Sequence, residues 1–172
     1  MILKTNCRKI LFLLLISPVT FAAAKEHRHH EAHVHGSATL NIAFEKLQGK
    51  IEFKAAADSI LGFEHEAKSE KDKKTLSDIS SLFENNINTM VQLDPALGCK
   101  ISTEKIANQL QGKHSDFIAN FNVLCKKEII GSKMTIDFTR FKTLKDIDVT
   151  LLADTVQKTA EVKSKPITLD VK

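Results

Sequence analysis

The sequence predicts a mainly β fold, either an antiparallel β-sandwich or a sheet-rich α+β domain with one inserted helix at about residues 70–86. Three observations carry this expectation. Apolar and polar residues alternate in six to eight short segments, the period of a strand with one buried face. A single segment, residues 69–86, changes to helical spacing. The 172 residues are 42% apolar and 27% charged, with 6 Gly and 3 Pro. That is the balance of one globular core, not of a disordered, collagenous or coiled-coil chain.

The first element is an address. Lys4, Arg8 and Lys9 precede the apolar residues 10–16, Ser17-Pro18 interrupts them, and Ala22 and Ala24 place small residues at −3 and −1 of a cleavage point. This is the pattern of a secretory signal peptide over residues 1–24. Seven apolar residues are too few to cross roughly 30 Å of hydrocarbon. No later stretch is apolar enough, so no membrane span is expected after cleavage. The signal takes three of the 25 basic residues and none of the 21 acids, so the net charge falls from +4 to +1. Basic clusters such as Lys71, Lys73 and Lys74 are interleaved with acids. A nucleic-acid partner is therefore excluded. Cys7 leaves with the signal. Cys99 and Cys125 remain, an even count that reads as one disulfide in an oxidising compartment, worth roughly 3–4 kcal/mol by loop closure. A metal-binding or redox pair is the alternative, although neither cysteine lies in a CxxC.

Residues 25–37 form a polar, histidine-rich segment, and residues 38–172 read as one domain. Ala38, Leu40, Ile42 and Phe44 alternate with polar or small residues, as do Ile51, Phe53, Ala55 and Ala57. A turn at Gln48-Gly49 makes these a hairpin with Phe44 against Phe53, Leu40 against Ala57 and Ala38 against Ser59. Leu76, Ile79, Leu82 and Phe83 line one side of the helix, and Ser69 with Asp72 marks its start. After Asp94-Pro95 strands return at 101–110, at Phe117–Ala119–Phe121–Val123–Cys125 and at Met134–Ile136–Phe138. A turn or short helix at 139–145 leads to Val149 and Leu151. Residues 156–162 and 167–171 suggest a final hairpin around Lys163-Ser164-Lys165-Pro166.

The chemistry concentrates in histidine. All seven lie beyond the signal, and five fall within nine residues: His27, His29, His30, His33 and His35. Imidazole favours borderline ions such as Zn²⁺, Cu²⁺ and Ni²⁺, and the lack of a methionine cluster argues against a Cu(I) site. The two-residue spacing of His33 and His35 puts both on one face of an extended strand. The expected hairpin sets His35 opposite Gly62 and His33 opposite Glu64, with His65 next to it. A bulge near Gly62 is needed to turn His65 inward. His114, ahead of Ser115-Asp116, adds a ligand or an outer carboxylate partner if its loop lies at the same end. His27, His29 and His30 read as a collecting segment that raises the local ion concentration. Affinity is expected to fall below roughly pH 6, as imidazoles protonate. No HExxH, GxSxG or phosphate loop points to an enzyme.

Residues 33–43 (HVHGSATLNIA), 62–67 (GFEHEA), Gly98-Cys99, His114-Ser115-Asp116 and 121–125 together resemble the ZrgA-type zinc-uptake proteins, small periplasmic proteins of Gram-negative bacteria. The resemblance spans about residues 31–171. It implies zinc binding in the periplasm and zinc acquisition beside an ATP-driven importer or its periplasmic components. The matching residues are His33, His35, His65 and His114, with Glu64. Family members often carry a second histidine-rich stretch near mid-chain, whereas residues 68–74 here contain no histidine. The readings left beside non-catalytic Zn²⁺ capture and hand-on are a copper or nickel buffer in metal tolerance, a metal-dependent enzyme, and an envelope domain that only tolerates metal.

Overall fold

The computed structural model describes residues 35–172. The expected signal peptide at residues 1–24, and His27, His29, His30 and His33, lie outside the described residues. Two sheets and one long helix make a sheet-rich α+β fold. The order is β1 (Ser37–Glu45), β2 (Gln48–Ala56), α1 (Ala57–Leu61), α2 (Glu70–Met90), β3 (Val91–Leu93), a 3₁₀ turn (Pro95–Leu97), β4 (Lys100–Gln111), β5 (His114–Leu124), β6 (Lys133–Ile136), β7 (Asp146–Ala153), β8 (Val156–Val162) and β9 (Ile167–Asp170). Six strands form one sheet in the order β4-β5-β2-β1-β7-β8, and β3-β6-β9 form a smaller one. This is the second of the two expected architectures, and every pairing in it is antiparallel except β1 with β7, which is parallel.

The β1–β2 hairpin differs in register from expectation. Its turn is Lys46-Leu47, with Lys46 in the left-handed region at φ 53° and Glu45 opposite Gln48. Leu40 therefore faces Phe53, and Phe44 faces Gly49. Gly49 is not a turn residue: a Cβ there would lie 2.6 Å from the Phe44 ring, so glycine leaves room for the aromatic across the strand. Nor does β2 continue to residue 65. It ends at Ala56 and the chain coils into α1, which stops at Gly62 in the left-handed conformation (φ 78°). The pairings of Ala38 with Ser59 and His35 with Gly62 are thus replaced by Ala38 with Ala55 and a helical return, while that of His33 with Glu64 involves a residue outside the described ones.

Helix α2 begins where the sequence indicates, with Ser69 Oγ accepting from Asp72 N at 3.1 Å. It runs to Met90, one turn beyond the expected end, because Ile87 and Met90 continue the buried stripe begun by Phe83. The final hairpin is also corrected. The tight turn is at Asp154-Thr155, where β8 folds back on β7, while β9 crosses to pair with β6. Residues 163–166 are the crossover between the two sheets. Pro166 suits this place, because it offers no N–H to a ladder.

One hydrophobic core joins the inner face of the large sheet to α2 and the small sheet. Phe83 sits at its centre, with ring centroids 5.2 Å from Phe53, 4.9 Å from Phe117 and 5.2 Å from Phe141. Phe138 stacks on Phe53 at 5.1 Å. The expected disulfide Cys99–Cys125 is present, closing the β4–β5 pair at the end away from His114. Among the described residues, no helix is long and apolar enough to cross a membrane.

Candidate metal centre

The site is built at the end of the large sheet where β1 begins. Gly36, at φ 88°, adopts a conformation that favours glycine, and a Cβ there would meet Lys145 and Thr143 O within about 3.2 Å. Its carbonyl accepts from Lys145 N at 2.7 Å and Asp146 N at 3.3 Å, and its N–H donates to Ser59 Oγ at 2.8 Å. Ser37 Oγ adds a bond to Asp146 Oδ1 at 2.5 Å. His35 is thereby held at a backbone position clamped from both sides.

Helix α1 supplies the next group. Asp58, in its first turn, takes a bond from Ser59 Oγ through Oδ1 at 3.2 Å and from His35 Nδ1 through Oδ2 at 2.5 Å. A carboxylate oxygen accepts, so the imidazole donates through Nδ1. After Gly62 the chain returns across the same end, and Glu64 reaches both histidines. Its Oε2 accepts from His114 Nδ1 at 2.6 Å, and its Oε1 lies 3.4 Å from His35 Nδ1. That Oε1 is buried with no hydrogen-bond partner among the described residues. A buried carboxylate oxygen left without a bond is costly, and a cation would satisfy it. His35, Asp58 and Glu64 each present a ligand atom within 4.8 Å of the other two.

The remaining expected donors lie apart from this group. The His65 ring stacks on Phe63 at 4.9 Å, its Nδ1 is 3.0 Å from Glu66 O, and Asp72 Oδ2 is 4.0 Å away. The His65 carbonyl accepts from Asn108 Nδ2 at 2.9 Å, which pins the loop to β4. Asp116 is buried and pairs with Lys54 at 3.3 Å. The sequence reading missed Asp58. The available signal was its position: with Ser59, it is the only polar interruption of the apolar residues 55–61.

Chemically, imidazole with carboxylates suits a divalent ion of intermediate hardness, and among the described residues the two cysteines, Cys99 and Cys125, are bonded to each other and offer no thiolate. A family model described as ZrgA family zinc uptake protein matches residues 32–171. The chain belongs to the ZrgA family. A search of the curated proteins gave no match. Membership supports a part in zinc uptake, and the four-residue cluster lies inside the matched region of this ZrgA-family chain.

Proposed function

We propose that this ZrgA-family protein is an exported, periplasmic protein that captures Zn²⁺ at the His35–Asp58–Glu64 end of its sheet and hands it on without catalysis. The observation that carries the reading is the convergence of three donors from separate segments within 4.8 Å, with His114 bonded to the same Glu64. The exposure of the imidazoles supports exchange. Structural zinc sites are closed shells, whereas the His35 and His114 side chains are 61% and 49% exposed. An ion held there is open to attack by an incoming ligand. His33, two residues ahead of His35, is the natural further donor, and His27, His29 and His30 are the collecting segment. His65, whose Nδ1 meets the Glu66 carbonyl and whose ring stacks on Phe63, remains a further candidate donor beside this group. The proposed receiver is an ATP-driven zinc importer or one of its periplasmic components.

Calorimetric titration of the mature chain with Zn²⁺ tests this reading. His35→Ala, Glu64→Gln and His114→Ala are each expected to weaken binding by roughly tenfold or more with an unchanged circular dichroism spectrum. Deletion of residues 25–30 should leave the tight site in place. Tight binding that disappears with residues 25–30 and ignores all three substitutions would overturn the assignment.

A further inference from the structure

Ser59 is 4% exposed, in a five-residue helix that otherwise turns Ala57, Ile60 and Leu61 into the core. A buried serine in such company needs partners. Each of its partners leads back to the neighbourhood of His35. The hydroxyl accepts from Gly36 N and donates to Asp58 Oδ1. The carbonyl accepts from Thr143 Oγ1, on the turn whose next residues, Lys145 and Asp146, hold the Gly36 carbonyl. One side chain therefore links the backbone that carries His35 to the carboxylate that His35 bonds.

We propose that Ser59 is the positioning residue of the metal site. Its hydroxyl fixes the His35 backbone on one side and the Asp58 carboxylate on the other, so imidazole and carboxylate keep their separation before an ion arrives. This rests on the metal-binding reading of the site given above. Without the hydroxyl, the Gly36 N–H loses its acceptor and Asp58 Oδ1 loses its donor. Asp58 then keeps its bond to His35 Nδ1 but loses the one that fixes it to its own helix, and the ion must order the pair on binding. Alanine at 59 would remove no metal donor.

The full mature chain would be titrated with Zn²⁺ against a competing chelator, as wild type, Ser59→Ala, Ser59→Thr, His35→Ala and Val149→Ala. The last removes core volume away from the site and serves as the stability control. Ser59→Ala is expected to weaken Zn²⁺ binding about 10- to 100-fold, the range for partners that orient metal ligands. Its Co²⁺-loaded form should keep the wild-type visible band positions, because the donor set is unchanged. Ser59→Thr, which keeps the hydroxyl, should recover most of the affinity. A merely structural serine would behave like Val149→Ala: a lower Tm and Zn²⁺ affinity within twofold of wild type. That result overturns the proposal, as does a changed Co²⁺ spectrum in Ser59→Ala. Should Ser59→Thr not fold, the comparison of Ser59→Ala with Val149→Ala still decides. Unaltered affinity in His35→Ala, or no binding by wild type, instead overturns the reading of the site, and the proposal falls with it.

Discussion

Glu64 is the residue on which the two halves of the site meet, since one oxygen engages His114 and the other approaches His35. Its arrival there depends on α1. Five residues in a helix advance only about 7.5 Å, against roughly 16 Å in a strand, so the chain is back at the sheet end when residue 64 is reached. The sequence reading brought Glu64 to the same place by an incorrect route, through a strand registered four residues too far. Donor-rich residues are conspicuous in a sequence, which is why His35, Glu64 and His114 were singled out. Asp58 was hidden because its role comes from a helix that periodicity over five residues cannot reveal. A separate residue contributes to acid stability. The Thr139 hydroxyl, and then its N–H, bond the Asp137 carboxylate and hold its pKa below the usual aspartate value, against the opposing effect of burial. A lowered folded-state pKa stabilises at pH values above the unfolded pKa of about 3.9 and is lost as pH falls through the folded value. Asp137→Asn should therefore lower the urea midpoint at pH 7, and the gap from wild type should shrink at pH 3. A gap of equal size at both pH values would rule out this linkage.

At the level of elements, the long periodic segments were readable and the connections were not. β5, β6 and α2 fall where alternation or helical spacing places them, because each buries a continuous face; β4 also falls there, although none of its residues is fully buried. The β1–β2 turn was misplaced because Gly49 looks like a turn residue, although its smallness serves the Phe44 ring. The last two strands were joined wrongly because Lys163–Pro166 has turn composition while the shorter Asp154-Thr155 turn was overlooked. The β4–β5 pair shows how independent the two ends of an element are. Its disulfide lies at one end and His114 at the other, eleven residues along β5, or about 35 Å in an extended strand. Cys99→Ser with Cys125→Ser should cost about 2–4 kcal/mol in denaturant unfolding. The same double variant should bind Zn²⁺ within about twofold of wild type at temperatures where it is folded. A large loss of affinity in the folded double variant would contradict that separation.

For the whole molecule, binding and stability are linked. An ion that binds the folded chain and not the unfolded one adds about 2.7 kcal/mol at a concentration 100 times its Kd. Differential scanning calorimetry should show Tm rising with Zn²⁺ in wild type and staying flat in His35→Ala with Glu64→Gln. A rise of the same size in both would point to ions held elsewhere. What no local pattern could disclose is the parallel alignment of β1 with β7, since it is set by the clamp on Gly36 and not by a turn. That alignment has a kinetic consequence. Ser37 meets Asp146 across 109 positions of sequence, so the middle of the large sheet cannot close until nearly all of the chain is available. Closing so long a loop slows the search for the native state. In a chain made amino end first, the β1–β7 ladder is therefore among the last pairings that can form, long after the β1–β2 hairpin has both its strands.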